Sequence, residues 1–472
     1  MPIHDMRAGS SGRPKPFGYL IVVAVLAALG GGLPSSAQQP PAAPQQPTDV
    51  ELVISGDGGT PPRYAVPEFI AVTPDMAEVA KVLGPVLFDD FAFERDVTLV
   101  ARDVVATVPA ARAADQVPFN SWREVGADAV IFGSVQRSGN TVSVQVRLFN
   151  VRTRQQVFGQ EYTGPTTNPR GFAHRIADDI HKQQRNLRGV AQSKVAFVSD
   201  RARSQATGSA RRRDVKEIYI ADYDGANQRR ATLSTDMHLN PNWAPDGSAL
   251  AYSSWDGAAA GRETDIVLSF LYKGLREVPT KGVSNNYHPS FSPNGSWIAF
   301  TSNRDRGENE VYVMNRDGSN IRRLTNNNAI DSSPTWSPSG NQIAFVSDRD
   351  SPGSPKLYWM NADGSGQRRV GIPDGYVDKP TWAPAPYNEI AYSARIAGGF
   401  DIKVYDIASQ TVRSVTAGEG TNESPAYSAN GKHIAFSSTR QGRAQIFTIG
   451  RDGRGLRQIT REGTNTLPAW SN

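Results

Sequence analysis

The sequence predicts an N-terminal α/β domain followed by an all-β six-bladed propeller that is closed by pairing of the C-terminal strand with the first blade. The propeller follows from a motif that recurs every 43 to 48 residues and from an incomplete repeat at each end of the repeating region. A separate first domain follows from residues 49–190, where helical and strand patterns alternate without that motif. A chain of 472 residues has room for two or three domains with buried cores.

The composition excludes several kinds of site and partner. The chain contains no Cys, which excludes a disulfide framework, a thiolate metal site and a cysteine nucleophile. Its 51 Lys and Arg residues against 46 Asp and Glu residues give a formal net charge of +5. This charge is small for the length of the chain, so nucleic acid is not an expected partner.

Residues 1–37 have the pattern of a secretory signal peptide. Basic residues come first, then an apolar run at residues 19–29 (YLIVVAVLAAL) and small residues at 35–37 (SSA). The apolar run is shorter than the roughly 20 residues that a spanning helix needs, which favours cleavage over an uncleaved anchor. We therefore expect an exported, periplasmic protein without a transmembrane span. Residues 38–48 (QQPPAAPQQPT) are predicted to be a Pro/Gln linker.

An alternating pattern opens the α/β domain. Val50, Leu52 and Ile54 alternate with polar residues, which predicts a short strand. A strand beside a flexible linker is able to pair with the sheet edge of a partner or with its own domain. The pattern alone leaves both possibilities open.

The other elements of the α/β domain follow from periodicity. Thr73 and Pro74 predict the start of a helix with apolar residues at helical spacing, interrupted at Gly84 and Pro85. A Gly139-Asn140 pair predicts a hairpin turn. The later elements are predicted as a strand at residues 97–101, a short helix at 119–125, strands at 128–135, 142–148 and 156–162, and a helix at 170–187.

Two histidines of the last helix raise the question of a metal site. His174 and His181 are seven residues apart, whereas a metal-binding pair more usually has the four-residue spacing of HExxH, which is absent. We interpret them as helix-packing or solvated side chains and predict no metal site. Gly-rich phosphate-binding loops are also absent, and no cofactor is expected.

Each propeller repeat combines four short strands. A proline is followed two residues later by an aromatic residue, which we expect to pack between neighbouring blades. A turn of the Pro-Asp-Gly type then leads into an apolar second strand with a central Ala, as in residues 241–253 (PNWAPDGSALAYS). Third and fourth strands follow, joined by an Asp-Gly turn. The repeats begin at Pro241, Pro289, Pro334, Pro380, Pro425 and Pro468.

The ends of the repeating region, residues 194–472, predict a closed ring. The first apolar second strand, at Val195, has no proline-aromatic strand before it, and the last such strand, at Pro468, has no second strand after it. Pairing these two strands completes six blades and removes the exposed sheet edges. An open solenoid would need capping repeats, and none is visible in the sequence.

The residues just ahead of each blade proline are predicted to form loops around one mouth of the central channel. They are polar and vary from blade to blade, as binding of an asymmetric partner requires, although solvated loops would show the same pattern. An acidic mouth with Asp331, Asp378 and Glu423 also suits a calcium ion. The expected partner-binding residues are His238, Asn285, His288, Asp331, Ser332, Asp378, Glu423 and Asn465.

The sequence predicts no catalytic residues. A nucleophile elbow, G-x-S-x-G, occurs nowhere in the chain, and no Ser/His/Asp set can be assigned. We expect a monomeric interaction protein that is not an enzyme. The alternative is an exported propeller hydrolase or glycan-binding protein that uses the channel.

The signal peptide, the small α/β domain and the six repeats together resemble the TolB family of the Tol-Pal system of Gram-negative bacteria. The resemblance covers essentially all of the chain after residue 37. It implies a periplasmic scaffold whose propeller mouth binds the peptidoglycan-associated lipoprotein, notably through Asn285, His288 and Ser332. It also implies that the strand at residues 50–55 engages TolA or regulates its engagement, and that the protein contributes to outer-membrane integrity and cell division. Here residues 38–47 precede that strand, whereas family members commonly begin with it.

Overall fold

A computed structural model describes residues 53–55, 59–202, 215–233, 237–255, 263–281, 284–305 and 307–471. The predicted signal peptide and linker, and with them Val50 and Leu52, lie outside the described residues. Within the described ranges, every helix is too short or too polar to cross a membrane.

The α/β domain is built on a six-stranded mixed sheet. Its strand order is β3-β1-β4-β5-β6, and β2 also pairs with β4. Pairs among β1 to β4 are parallel, while β4, β5 and β6 form an antiparallel meander. The strands are β1 (Arg63–Ala65), β2 (Ile70–Ala71), β3 (Thr98–Leu99), β4 (Ala129–Ser138), β5 (Thr141–Asn150) and β6 (Gln156–Gly164).

Four helices cover the two faces of this sheet in the described residues. The long helices α1 (Ala77–Glu94) and α4 (Pro169–Arg185) pack on one face, and the short helices α2 (Arg102–Val105) and α3 (Phe119–Glu124) on the other. Helix α1 runs through Pro85 without a break, so the predicted interruption is wrong. The residue before Pro85 is Gly84, and close packing explains its small size. A Cβ on Gly84 would lie 3.1 Å from the carbonyl oxygen of Pro67. The predicted Gly139-Asn140 turn is present.

Of the apolar residues in the predicted N-terminal strand, Ile54 lies within the described residues, and it packs against its own α/β domain. Ile54 is 1% exposed and belongs to the core between the sheet and the long helices. Its backbone N–H donates to Oε1 of Gln184 in α4, at 3.0 Å. Residues 53–55 are not in a strand, so this part of the strand prediction is wrong.

The described residues after 193 form six four-stranded antiparallel sheets, as the sequence predicts. Each sheet is one blade, and its strands run outward from the channel in chain order, except that β30 is the innermost strand of blade 1. Blade 1 is β30 (Asn465–Trp470), β7 (Lys194–Ser199), β8 (Glu217–Asp222) and β9 (Arg229–Arg230); blade 2 is β10 (His238–Trp243), β11 (Ala249–Ser254), β12 (Asp265–Phe270) and β13 (Leu275–Glu277); blade 3 is β14 (Asn286–Phe291), β15 (Trp297–Ser302), β16 (Glu310–Asn315) and β17 (Arg322–Arg323); blade 4 is β18 (Asp331–Trp336), β19 (Gln342–Ser347), β20 (Lys356–Asn361) and β21 (Arg368–Arg369); blade 5 is β22 (Val377–Trp382), β23 (Glu389–Ile396), β24 (Gly399–Asp406) and β25 (Thr411–Ser414); blade 6 is β26 (Asn422–Tyr427), β27 (His433–Ser438), β28 (Gln445–Gly450) and β29 (Arg457–Gln458).

The C-terminal strand closes the ring. β30 pairs antiparallel with β7, and Trp470 lies opposite Val195. The repeated aromatic residues pack between blades as expected. The indole N–H groups of Trp243 and Trp336 each donate, at 3.1 Å, to a backbone carbonyl of the preceding blade. Each blade is therefore held to its neighbour by a buried ring and, in these two cases, by a directional hydrogen bond.

Two carboxylates hold the connection between the α/β domain and the propeller. Asp178 of α4 accepts the backbone N–H groups of Ala191 and Gln192, at 2.9 and 3.1 Å. Glu94 accepts that of Val190 at 2.9 Å. Burial raises the pKa of the Asp178 carboxyl to about 6, although these hydrogen bonds act in the opposite direction.

We expect Asp178→Asn to change how stability depends on pH. Between pH 4 and pH 6 the folded protein keeps a proton on Asp178 that the unfolded chain releases, so this group makes the folded state less stable as pH rises. The stability of the wild type relative to the variant should therefore fall by about 2 kcal/mol from pH 4 to pH 7. Urea unfolding across this range measures the difference, with the exposed Asp115→Asn as control. A constant difference between wild type and Asp178→Asn would contradict the assignment.

Candidate functional site

The innermost strand of every blade contains a β-bulge at its proline. The strand pairing shifts between the residue two positions before the proline and the residue after it, for example between Leu239 and Asn242. Proline has no N–H to donate to the neighbouring strand, and the bulge removes the need for one. The residue directly before the proline has a positive φ, between 50° and 59° in the six blades. This left-handed conformation costs a non-glycine residue roughly 1–2 kcal/mol.

These left-handed residues line the channel together, and we call this ring the waist. The waist consists of Asn240, His288, Ser333, Lys379, Ser424 and Leu467. With the prolines and the residues after them, they line a cavity of about 180 Å³.

A hydrogen bond crosses the waist. Lys379 Nζ of blade 5 donates to Oδ1 of Asn240 in blade 2, on the opposite side of the ring, at 2.9 Å. Burial lowers the pKa values of Lys379 and His288, and the charge of Lys379 lowers that of His288 further. Ser333 Oγ lies 3.3 Å from His288 Nδ1. The waist therefore holds a neutral histidine and a lysine that bridges the channel to the opposite blade.

The residues two positions before each proline are partly exposed around one opening of the channel. We call this ring the mouth. It faces away from the α/β domain, because the other ends of the innermost strands lead to turns such as that of Asn430, which donates to Glu94 of α1. The mouth consists of Leu239, Tyr287, Ser332, Asp378, Glu423 and Thr466.

The eight residues selected from the sequence divide among these positions. Ser332, Asp378 and Glu423 lie in the mouth, and His288 lies in the waist. All of the eight except Asn285 lie in strands rather than in the expected loops. Asn285 is half-buried, and its Oδ1 accepts the backbone N–H of Thr264 at 3.1 Å.

Three of the selected residues are buried inside the blades. His238, Asp331 and Asn465 lie three positions before their prolines and are at most 1% exposed. Because side chains alternate along a strand, the side chain at this position points into the blade. There, the Asp331 carboxylate accepts a hydrogen bond from Arg349 Nη2 at 2.8 Å. Buried side chains cannot contact a partner at the surface, so the expectation that these three do so is replaced by a structural role.

Sequence reasoning missed half of the mouth and most of the waist. Leu239, Tyr287 and Thr466 complete the mouth, and Lys379 and Asn240 bridge the waist. The signal that could have found them is a constant offset from the blade proline. The eight residues selected from the sequence instead lie at four different offsets from their blade prolines.

The three acidic residues considered for calcium do not form a metal site. Asp331 is buried in blade 4, whereas Asp378 and Glu423 lie in the mouth. Burial and the nearby charge of Asp378 raise the pKa of Glu423. In the part of the chain that the structure describes, the His and carboxylate side chains close enough together to hold an ion are instead Glu94, Asp96 and His181.

Comparison with protein families agrees with this architecture. The sequence model of the TolB amino-terminal domain matches residues 50–157, and that of the TolB beta propeller domain matches residues 182–472. The chain belongs to the TolB family. A crystal structure of TolB from Acinetobacter baumannii is similar to it, with a TM-score of 0.72 and 25% identity over 87% of this chain and 97% of that one.

Curated TolB proteins are similar over shorter stretches. The Tol-Pal system protein TolB of Desulfosudis oleivorans is 33% identical over 55% of this chain and 57% of its own length. The protein of the same name from Bordetella pertussis is 29% identical over 69% of this chain and 67% of its own length. The chain thus spans little more than half of the length of the first curated relatives that it matches.

Proposed function

We propose that this TolB-family chain is a periplasmic, non-enzymatic scaffold of a Tol-Pal envelope system, exported by a cleaved signal peptide. Its mouth binds the peptidoglycan-associated lipoprotein and so contributes to outer-membrane integrity and cell division. The relatives named Tol-Pal system protein TolB support the assignment of this chain to such a system. The observation that carries the site is a mouth with a different side chain on every blade, above a waist bridged by Lys379 and Asn240.

The bridged waist and its small cavity favour a protein partner over a small substrate. The cavity of about 180 Å³ is smaller than the 300–1,000 Å³ typical of ligand-binding sites. A partner therefore meets the rim of the channel rather than a deep pocket. This geometry favours the scaffold over a hydrolase or a glycan-binding protein that uses the channel.

The two sides of the mouth differ in chemistry. Leu239 and Tyr287 on blades 2 and 3 form an apolar side, and the ring of Tyr287 lies 6.0 Å from that of Trp255. Asp378 and Glu423 on blades 5 and 6 form an acidic side directly opposite. We propose that the lipoprotein presents an apolar group to the first side and a basic group to the second, which fixes its orientation.

We also propose that residues 50–55 engage TolA. Ile54 is buried against the chain's own α/β domain, where its backbone N–H donates to Gln184 and its side chain belongs to the apolar core. Release of Ile54 from this core would make its strand-forming backbone available to the sheet edge of a partner. Val50 and Leu52 would then present the remaining apolar side chains of the alternating pattern.

We expect two mouth substitutions to weaken binding of the lipoprotein's soluble domain. Tyr287→Ala removes the aromatic contact, and Glu423→Lys places a positive charge opposite the expected basic group. Each should raise the Kd at least tenfold, about 1.4 kcal/mol, as truncation of a central interface residue does. Calorimetric titration measures the Kd, with the exposed Ser339→Ala on the other face of the propeller as control. Unchanged affinity in both mouth variants would exclude the mouth as the binding site.

A further inference from the structure

Four ionisable side chains from separate parts of the chain meet between the α/β domain and blade 6. Glu94 is the last residue of α1, and Asp96 comes two residues later. His181 lies in α4, and His433 begins β27. One ligand atom each of Glu94, Asp96 and His181 lies within 4.8 Å of the others. His433 lies beside this group of three rather than within it: its Nε2 is 3.6 Å from Oε2 of Glu94, and its side chain must shift to bind an ion that the three hold.

Both histidines point a ring nitrogen without a hydrogen-bond partner into this cluster. His181 is 3% exposed and His433 is 2% exposed. The Nε2 atoms of both lack a hydrogen bond among the described residues. His181 Nε2 lies 3.0 Å from Asp96 Oδ2, but not in the alignment of a hydrogen bond. Unpaired buried nitrogen atoms are costly, and a neutral imidazole nitrogen is a common metal ligand.

We propose that Glu94, Asp96, His181 and His433 form a zinc site that joins the α/β domain to the propeller. Two imidazole nitrogens and two carboxylate oxygens are a donor set that zinc accepts. Ligands at about 2.0–2.1 Å in a tetrahedron lie roughly 3.4 Å from one another. The measured separations of 3.0 and 3.6 Å lie on either side of that value.

The surroundings orient the ligands. The ring of Phe93 stacks on that of His433 with 4.1 Å between centroids, and the backbone N–H of His433 donates to Ser428 Oγ at 3.1 Å. Oε1 of Glu94 accepts the backbone N–H of Val190 at 2.9 Å. Oε2, on the side of His433, accepts Asn430 Nδ2 at 3.1 Å, and zinc would take the place of this amide donor. The C-terminal end of α1, capped by Arg95 with a φ of 60°, adds a negative potential that favours a cation.

In the structure, Lys432 supplies a positive charge beside the carboxylates of this cluster. The ammonium group of Lys432 contacts Asp96. Zinc would bind with displacement of this ammonium group from the carboxylate. Removing the lysine should therefore strengthen zinc binding, while removing either histidine should weaken it.

The position of the ligands gives the ion a structural role. Three of the four come from the α/β domain and one from the propeller, so a bound ion joins the two parts. Because a ligand that binds only the folded state raises its stability, zinc should raise the Tm of the chain. His181 thus takes a role that its spacing from His174 did not indicate, since its partners lie far away in the sequence.

The test uses the full chain without a histidine tag, treated with a chelator and titrated with Zn²⁺ by calorimetry. We expect one ion per chain and a Kd of about 1 µM or below. His181→Gln and His433→Gln should each raise the Kd at least tenfold, and Lys432→Met should lower it. His174→Gln is the matched control, because this buried histidine of the same helix faces Asp90 instead, at 3.0 Å, and should leave the Kd unchanged.

Several results would overturn the zinc site. They are an absence of stoichiometric binding to the wild type, a Kd that neither histidine substitution changes, or a Kd that Lys432→Met raises. Circular dichroism establishes that each variant is folded. If the histidine variants unfold, the visible spectrum of bound Co²⁺ in the wild type and Lys432→Met decides, because four-coordinate binding gives intense absorption and surface binding does not.

Discussion

Trp470→Ala lowers the free energy of unfolding by about 3–5 kcal/mol, the usual cost of removing a buried tryptophan. Trp470 lies in the strand that closes the ring, is 7% exposed and packs in the core shared by blade 1 and the α/β domain. Its indole N–H donates to Ser193 Oγ at 2.7 Å. Removing the ring leaves a cavity at the closure and removes one hydrogen bond of the Ser193 hydroxyl, which still donates to the carbonyl of Val190. Urea unfolding followed by circular dichroism measures the loss.

A matched substitution separates closure from the general effect of losing an aromatic ring. Trp297 begins β15 in blade 3 and is half-buried at the edge of its blade. Trp297→Ala should cost about 1 kcal/mol, because less apolar area leaves contact with the protein. Equal losses in the two variants would show that β30 contributes no special stability to the ring.

Asp331→Ala lowers the free energy of unfolding by about 3 kcal/mol, because it leaves the guanidinium group of Arg349 without its buried carboxylate. Asp331 is fully buried and accepts hydrogen bonds from Arg349 and from Asn327 Nδ2, at 2.8 and 2.7 Å. Thermal and urea unfolding measure the change. Asp331→Asn keeps the shape of the side chain and should cost less.

The neighbouring residue provides the control for this second prediction. Ser332 lies one position further along the strand, in the mouth, and Ser332→Ala should change stability by less than about 0.5 kcal/mol. If Asp331→Ala leaves stability unchanged but weakens lipoprotein binding, Asp331 is a contact residue and its assigned structural role is wrong.

The repeat pattern predicted the propeller because a propeller is a local fold repeated along the chain. Every blade is specified by a proline, an aromatic residue two positions later, a turn and an apolar strand within a few dozen residues. The pairing of β30 with β7 followed from counting incomplete repeats, although these strands are separated by most of the propeller. Helix α1 was predicted less well: it continues through Pro85, and Gly84 is a packing residue, because its close approach to Pro67 is a tertiary contact that the local pattern does not show.

The candidate site was predicted only in part. The sequence located the right segment of each blade but not which of its residues face the solvent, because the bulge at the proline changes the alternation of side chains. Asp331 and Ser332 are adjacent and polar, yet one is buried and the other lies in the mouth. Nothing in the sequence indicates that Lys379 bridges the channel, because its partner, Asn240, lies on the opposite blade.

The sequence by itself determined the number of blades, the closure of the ring and the family, since these depend on short patterns that repeat along the chain. The tertiary structure alone decided which residues form the mouth, that Lys379 bridges the waist, and that Glu94, His181 and His433 meet beside blade 6. The reason is physical. Turns and strand periodicity act between residues close in sequence, whereas a binding surface or an ion site depends on distances between residues that only folding brings together.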